Sequence, residues 1–376
     1  IEETITAGYV RADFKFFENR LWIVGGVRFE RTADEGWGPR NDIAGTFQRD
    51  ASGNFVRNAA GALVRITTDA LENAQLQYTL LGTHVKNHYD GYYPSVNTSF
   101  WFTPTFVARA AYARTLGRPN FTEILPGVTA ANPDAPEGSR TVTVVNTGLK
   151  PWMANNYDLS FELYELKGAV ASVSLFQKDI TNFFAATRVD ATLETLAEFN
   201  LPDEYLDYDI VSKRNAGAAT ITGIEVGYRQ SLEGLGAWGR GLMVFSNLTN
   251  MHLSGPDSNN FTNFNARSVQ QGVSFARRKL SARVSYNHTW YRRRSPVAAS
   301  AAQRPNSYNT YAPQTKVDVS VAYMLSKRYT LYADVRNLNA MPQRSGTWSP
   351  DLPEFARMDQ FQFVGAAFTV GVRGDF

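Results

Sequence analysis

The sequence predicts an all-β fold, a transmembrane antiparallel up-and-down β-barrel of which this chain is the carboxy-terminal portion. Three observations predict it. Apolar and polar residues alternate with period two along many segments. Short and long connections between these segments take turns. The chain also lacks any run of roughly eighteen apolar residues, so a membrane-spanning protein of this sequence must cross with strands.

The carboxy-terminal segment, residues 362–376, shows the alternation most plainly. One face is apolar and the other is small or polar: Val364, Ala366, Phe368, Val370, Val372 and Phe376 against Gly365, Ala367, Thr369, Gly371, Arg373 and Asp375. This pattern is typical of a strand between lipid and an aqueous lumen, and it makes the terminal Phe376 the expected membrane-assembly signal. A strand of a soluble sandwich alternates in the same way, so the rest of the chain must decide.

Short and long connections alternate along the chain, as in an up-and-down barrel, which has tight turns at one end and long loops at the other. Short turns are expected at Glu18-Asn19, Thr103-Pro104-Thr105, Lys167-Gly168, Leu235-Gly236-Ala237, Arg278-Lys279 and Ser326-Lys327. Long loops rich in Pro, Asn, Asp, Gly and Ser are expected at 34–76, 119–150, 185–213, 255–266, 294–314 and 342–360.

Charged residues share one face of several internal segments. Leu280, Ala282, Val284 and Tyr286 alternate with Ser281, Arg283, Ser285 and Asn287, and the segments 316–323 and 331–336 repeat this arrangement. Such charges would be costly in the core of a sandwich but are stable in a hydrated lumen. This is the strongest physical argument for a barrel.

The strand directions predict that the barrel continues beyond this chain. We count about thirteen strands, and with this count the first strand (near 4–17) and the last run in the same direction. Two such strands cannot close an antiparallel barrel, and single-chain bacterial barrels have even strand numbers. The first strand is therefore expected to be an open edge.

Composition narrows the possible functions. The 376 residues include no cysteine, which excludes disulfides and thiolate metal sites. The net charge of +3 is too small and dispersed to favour nucleic acid. Aromatic residues reach 13%, which suits aromatic girdles at two bilayer interfaces but also an aromatic-rich carbohydrate-binding β protein.

Several segments, in their order along the chain, resemble the TonB-dependent outer-membrane receptors. The motifs are Gly25-Gly26-Val27-Arg28-Phe29-Glu30-Arg31-Thr32 ("GxRxExT"), Tyr93-Pro94-Ser95-Val96-Asn97, Ala113-Arg114-Thr115-Leu116-Gly117-Arg118-Pro119-Asn120-Phe121, Asn146-Thr147-Gly148-Leu149-Lys150-Pro151, Asn156-Tyr157-Asp158, Phe176-Gln177-Lys178-Asp179-Ile180, Gly223-Ile224-Glu225 and Asn337-Leu338-Asn339. Thr147 and Trp152 depart from the family pattern, within a structural connection.

The resemblance implies that residues 1–376 form part of a β-barrel domain, about thirteen of the family's twenty-two strands. The amino-terminal plug, the segment that contacts TonB and the signal peptide are expected to be absent from this piece. It further implies a location in the bacterial outer membrane and uptake of a scarce ligand, driven by the TonB complex acting through the plug. The barrel-assembly machinery, outer-membrane lipid and lipopolysaccharide are the other implied partners.

The ligand is expected to be a small molecule or oligosaccharide, with an oligosaccharide favoured and a ferric siderophore next. Aromatic rings that stack on sugars and cations that pair with anionic chelates supply the candidate residues, which are Trp37, Tyr92, Tyr93, Arg118, Phe183, Trp290 and Trp348. The alternative is that these residues are girdle or loop-packing residues.

No enzymatic activity, catalytic residue, cofactor or metal site is expected, since neither a G-x-S-x-G elbow nor a phosphate-binding glycine loop occurs. His84 and His88 would lie about 13 Å apart on a strand. The Glu204, Asp207 and Asp209 group is either a Ca²⁺ site or a solvated acidic loop. Residues 292–294, three arginines, are expected to meet lipopolysaccharide phosphates or form an ordinary solvated rim. A passive porin and an outer-membrane enzyme or adhesin are the alternative functions.

Overall fold

The computed structural model describes residues 1–136, 139–166, 168–199, 201, 203–215, 217–256, 261–297, 307–350 and 352–374. Phe376 and Lys167 lie outside these ranges, so the assembly role of Phe376 stays a prediction. Helices in the described part are short, and none has the length and hydropathy that a transmembrane span requires.

The described residues are mainly strands. The strands are β1 (Glu2–Phe16), β2 (Leu21–Asp42), β3 (Tyr78–Thr103), β4 (Phe106–Gly117), β5 (Val128–Ala130), β6 (Thr141–Val144), β7 (Trp152–Leu166), β8 (Ala169–Thr181), β9 (Phe184–Asp190), β10 (Asp209–Asn215), β11 (Ala218–Ser231), β12 (Leu242–Ser254), β13 (Arg267–Arg277), β14 (Leu280–Thr289), β15 (Arg292–Pro296), β16 (Tyr308–Tyr311), β17 (Gln314–Met324), β18 (Tyr329–Arg336), β19 (Gln343–Trp348), β20 (Met358–Gln362) and β21 (Ala367–Gly374). The α-helices are α1 (Ala70–Gln77), α2 (Phe121–Ile124) and α3 (Leu193–Glu198).

One large sheet forms the wall of the molecule. Its strands pair antiparallel in chain order, β1-β2-β3-β4-β7-β8-β11-β12-β13-β14-β17-β18-β21. Among the described residues no pairing joins β1 to β21, so the sheet is open between these two strands. The all-β, up-and-down prediction is confirmed, whereas the share of a complete barrel that this wall represents remains a prediction.

The predicted turns lie where the wall reverses. Residues 17–20 join β1 to β2 with Phe17, Glu18 and Asn19 at positive φ, and Arg278 at φ 55° begins the reversal between β13 and β14. The connection predicted at Leu235-Gly236-Ala237 is longer than a tight turn, since residues 232–241 contain two short 3-10 helices.

The long loops are more ordered than predicted. The loop predicted to begin at residue 34 begins after Asp42, because β2 continues to that residue, and β3 starts at Tyr78. The strands β5, β6, β9 and β10 also form within predicted loops. They join the wall because β5 pairs parallel with the end of β2. At the carboxy terminus the strand is shorter than predicted. β21 begins at Ala367, and Val364 precedes it.

The two faces of the wall differ as predicted. Val284 pairs with Val319, Val319 with Val335, and Val335 with Phe368, which gives a continuous apolar row across four strands. We call this side the outer face. The residues between them lie on the opposite side, which we call the lumen face, where Arg283, Ser320, Asp334 and Thr369 are neighbours. An apolar outer face and a polar inner face suit a wall between lipid and water.

Aromatic collars mark both edges of the apolar outer face. The lower collar lies near the short turns and contains Phe14, Phe16, Phe100, Phe102, Phe106 and Phe161, in which the Phe100 and Phe102 ring centroids are 4.8 Å apart. The upper collar contains the pairs Phe29–Tyr92 at 5.2 Å and Tyr112–Tyr157 at 5.3 Å. On β2 the distance from Leu21 to Phe29 is about 26 Å at 3.3 Å per residue, close to the apolar band of a barrel.

The largest apolar core belongs to the loops. Val142 of β6 and Leu196 of α3 are fully buried, and they pack with Tyr205, Tyr208 and Ile210 from the segment that follows β9. A packed core gives these loops a fixed shape relative to the end of β2, which is what a preformed ligand-binding entrance requires.

The two-faced wall predicts opposite effects for neighbouring substitutions on β17. Val319→Lys places a charge on the outer face and should destabilise the protein in lipid vesicles by about 2–4 kcal/mol. Ser320→Lys, one residue later on the lumen face, should change the free energy of unfolding by less than about 1 kcal/mol. Urea unfolding of both variants measures the difference, and equal destabilisation would contradict the assignment of faces.

Candidate functional site

A stripe of polar residues follows the lumen face of β2 above the level of the upper collar. The motif Gly26-x-Arg28-x-Glu30-x-Thr32 places every named residue on this one face, because side chains on a strand alternate. Asp34 continues the stripe, and on the neighbouring β3 Tyr93 pairs with Arg28 and Tyr89 with Thr32.

The carboxylate of Glu30 is the centre of the stripe. Its residue is 6% exposed, and Arg28 Nη2 donates to Oε2 at 2.7 Å. Arg118, which directly follows β4, pairs with the other carboxylate oxygen. Two guanidinium groups flank one buried carboxylate, and the Arg28 side chain is 45% exposed on the lumen wall. This arrangement can attract an anionic ligand.

The ring of Tyr93 lies beside this charge cluster. Its hydroxyl is only 2.5 Å from the point that a Cβ on Gly91 would occupy, so the ring covers Gly91, the register partner of Glu30. A side chain at residue 91 would displace the ring. The sequence thereby presents an aromatic face and a cation next to each other on the lumen wall.

The end of the stripe that is farthest from the apolar band is buried by the segment that follows β4. A Cβ on Gly38 would collide with the carbonyl oxygen of Pro126, so only glycine allows the two backbones to approach this closely. Glu123 holds this segment in place, accepting from the backbone N–H of Asn120 and from Lys213 Nζ at 2.7 Å. The loop thus forms a roof over the upper lumen wall.

Burial beneath this roof changes the acidity of the stripe. Thr32 is 1% exposed and Asp34 is 9% exposed. Burial, reinforced by the neighbouring Glu3 of β1, raises the pKa of Asp34 to about 6. Burial likewise raises the pKa of Tyr89 to about 12. Asp34 is therefore a carboxyl group that titrates near neutral pH.

The structure brings together two of the residues predicted from the sequence, Tyr93 and Arg118, which both adjoin the Glu30 cluster. Tyr92, one residue away on the same strand, lies on the outer face against Phe29 and is 64% exposed. Tyr92 and Tyr93 therefore cannot contact one ligand in the lumen, and Tyr92 belongs to the upper collar.

The other predicted residues lie elsewhere. Trp37 stacks on His84 at 4.6 Å on the outer face, and Trp290 meets His288 edge-on at 4.4 Å. Phe183 is 2% exposed and packs against Phe261 within an apolar cluster, so it is a packing residue.

Trp348 lies in a small sheet that the loops form. Its ring stacks on Tyr308 at 4.8 Å in the separate sheet β15-β16-β19-β20. This sheet arises from two loops that the sequence analysis left without strands.

Sequence reasoning missed Arg28, Glu30 and Asp34 as site residues. The signal was present, because "GxRxExT" has the spacing of one strand face and continues to Asp34 at the same spacing. The burial of Glu30 and Asp34 was not predictable, since it depends on a loop that returns from the far end of β4.

The acidic residues considered for Ca²⁺ are neutralised by separate arginines. Glu204 pairs with Arg49 at 2.5 Å, and Asp207 pairs with Arg140. Asp209 pairs with Arg188. Within the described ranges no group of three or more His, Asp or Glu side chains is arranged to hold a metal ion.

Comparison with known proteins gives consistent results. A sequence model of the family described as "TonB dependent receptor-like, beta-barrel" matches residues 1–338. No match was found among curated proteins.

Solved structures with the same fold include one transporter and two receptors. The copper transporter OprC has a TM-score of 0.62 at 13% identity, with 100% of this chain and 48% of OprC covered. The ferric-catecholate import receptor Fiu of E. coli K12 has a TM-score of 0.59 at 12% identity, covering 100% and 45%. The siderophore receptor PirA of Acinetobacter baumannii has 0.58 at 14%, covering 100% and 55%. The chain spans about half the length of these structures, and such identities establish the fold alone.

The raised pKa of Asp34 predicts a pH-dependent stability. The folded chain binds this proton more tightly than the unfolded chain, in which the pKa is near 3.8. The free energy of unfolding should therefore increase, by about 1 kcal/mol, as the pH falls from about 7 to about 5.

Asp34→Asn should remove this increase, while Asp90→Asn, an exposed acid on the outer face, should preserve it. Denaturant titrations at the two pH values measure the effect. An increase that persists in Asp34→Asn would contradict the assignment.

Proposed function

Because the chain belongs to the TonB-dependent receptor-like β-barrel family, we propose that it is part of an outer-membrane receptor that takes up a scarce anionic ligand. Members of this family are outer-membrane transport receptors, not enzymes. In this proposal the TonB complex supplies energy from the proton-motive force through a plug domain. The barrel-assembly machinery inserts the wall into the membrane.

The polar stripe on the lumen face is the observation that supports this proposal most directly. A wall that only retained a protein in the membrane would need no buried, charged cluster beneath a folded loop. Charged and aromatic groups side by side on the inner wall, under an external roof, are suited to selecting a ligand. This favours a receptor over a passive porin.

The structure changes the preferred ligand class. Of the predicted aromatic residues that favoured an oligosaccharide, Trp37, Tyr92 and Trp290 lie on the outer face and Phe183 is buried. The cations Arg28 and Arg118 lie on the lumen wall. We therefore place an anionic metal chelate, such as a ferric siderophore, ahead of an oligosaccharide. Fiu and PirA, which share the fold, are named as receptors for such compounds.

An oligosaccharide remains the second candidate because of Trp348 and Tyr308. Their rings are nearly parallel, at 15°, and both are half-buried in the external loop sheet. The face of Trp348 that is turned away from Tyr308 is the surface on which a sugar ring would stack, since Arg293 lies over Tyr308.

Lipopolysaccharide is the proposed neighbour of the outer face above the upper collar. There Arg31 follows the last apolar residue on the outer face of β2. Three exposed residues of other strands lie on the same outer face: His88, Arg114 and Arg267. The arginines at 292–294, considered for this role from the sequence, stack on Tyr308 and Tyr311 in the loop sheet, and their contact with lipopolysaccharide stays a prediction.

Uptake measurements test the function. Cells with the intact gene should accumulate ⁵⁵Fe supplied as a ferric chelate, and deletion of the gene or of TonB should abolish this accumulation. A proton uncoupler should have the same effect. Uptake that depends on this gene but not on TonB would identify a porin, and uptake of labelled oligosaccharide alone would identify the second ligand class.

Tyr93 and Tyr92 form a matched pair for locating the ligand. Tyr93→Ala should weaken binding of the transported ligand by about tenfold, because it removes an aromatic contact on the lumen wall. Tyr92→Ala, on the outer face, should leave the affinity within about twofold. Equilibrium binding to outer membranes measures both, and equal affinities would exclude the Glu30 cluster as the ligand site.

A further inference from the structure

A basic cavity lies on the lumen side of the wall, far along the sheet from the Glu30 cluster. It has a volume of about 190 Å³ and lies where β14 and β17 meet the loop sheet. Asn287 and Thr289 of β14 and Gln314 and Lys316 of β17 occupy lumen-face positions of the wall. The remaining lining residues come from the loop sheet and its junction with β17: Arg292, Tyr311, Ala312, Gln343 and Arg344.

The charge of this cavity is entirely positive. Arg292, Lys316 and Arg344 line it, and none of the described lining residues is acidic. The acid next to Lys316 on the same strand face is Asp318. Both of its oxygens are engaged, one by Asn287 Nδ2 at 2.9 Å and the other by the backbone N–H of Asn337 at 2.9 Å. None of the three cations forms a salt bridge with an acid of the described residues, so all three are available to an outside anion.

Aromatic rings hold two of the cations in position. The guanidinium of Arg292 lies over Tyr311 at 4.5 Å, and that of Arg344 lies over Phe361 at 5.4 Å. Stacking of this kind fixes the plane of a guanidinium while leaving its N–H donors free to bind in that plane. Positions fixed in advance reduce the entropy that ligand binding must overcome.

Two buried donors lack partners. Arg292 Nε and Gln314 Nε2 are both shielded from solvent and have no hydrogen-bond acceptor among the described residues. A buried N–H without an acceptor costs about 1–3 kcal/mol, and such groups usually have a partner. Both residues line the same cavity, so one anion could satisfy both.

We propose that this cavity is an oxyanion-binding site, which holds a carboxylate, phosphate or sulfate group of a ligand that has entered the lumen. The inference rests on the proposed uptake function and deepens it by assigning a second anchoring point on the wall. The cavity accommodates one small charged group, with Arg292 and Arg344 donating in the plane of their guanidiniums. Lys316 adds a point charge, and the amides of Asn287 and Gln343 complete the surroundings.

Binding of inorganic phosphate tests the site without knowledge of the natural ligand. The receptor is extracted from outer membranes in detergent, and ³¹P NMR measures phosphate affinity at low salt. Arg292→Gln, Lys316→Gln and Arg344→Gln should each weaken binding by about tenfold. Raising the salt concentration should weaken binding of the unsubstituted receptor as well.

Arg283→Gln is the matched control. Arg283 is also a lumen-face arginine of β14 that stacks on an aromatic ring, Phe245 at 4.3 Å, but it lines a different cavity. Its substitution should leave phosphate affinity within about twofold. Heat-dependent migration on gels verifies that each variant is folded.

Two outcomes would overturn the site: a folded receptor that binds no phosphate, or binding that the three substitutions leave unchanged. The uptake experiment is read separately. Phosphate binding in a receptor that fails to transport would support the site and contradict only the proposed function.

Discussion

The structure depends on one constraint, that every backbone N–H and C=O inside a bilayer must be paired within the protein. Antiparallel pairing of successive strands meets it between β1 and β21, and only the free edges of these two strands lack a partner among the described residues. Once the backbone is fixed in this way, side chains must alternate between lipid and lumen. The row Val284, Val319, Val335 and Phe368 and its polar counterpart are the result. The same geometry places Arg28, Glu30, Thr32 and Asp34 on one face.

The charged residues of the site lie where the strands extend beyond the apolar band. On the outer face of β2 the change occurs between Phe29 and Arg31, while the pairing with β3 continues for ten further residues. These extensions carry the roof that buries Asp34 and the loops that form the apolar core around Leu196. The membrane thus determines the arrangement of side chains within the apolar band. The strand extensions beyond the band determine where the site lies.

The sequence was sufficient to predict the wall. Period two is imposed by lipid on one side only, and it was readable in residues 280–287 and 316–323. Above the band the outer face no longer meets lipid, so the alternation disappears although pairing continues, and residues 34–42 of β2 were wrongly assigned to a loop. Neighbouring residues on a strand cannot share a face, and this rule, applied to Tyr92 and Tyr93, would have separated them. The burial of Phe183 and of Glu30 depends on contacts between distant segments, which no local pattern contains.

The most direct test is a cysteine scan of β17, for which the chain is suited because it contains no cysteine. Single cysteines at positions 317 to 322 are labelled in intact outer membranes with a small water-soluble maleimide. The account predicts labelling at Asp318, Ser320 and Ala322 and protection at Val317, Val319 and Val321. Uniform labelling, or protection of the even-numbered positions, would contradict a wall with lipid on one side and water on the other.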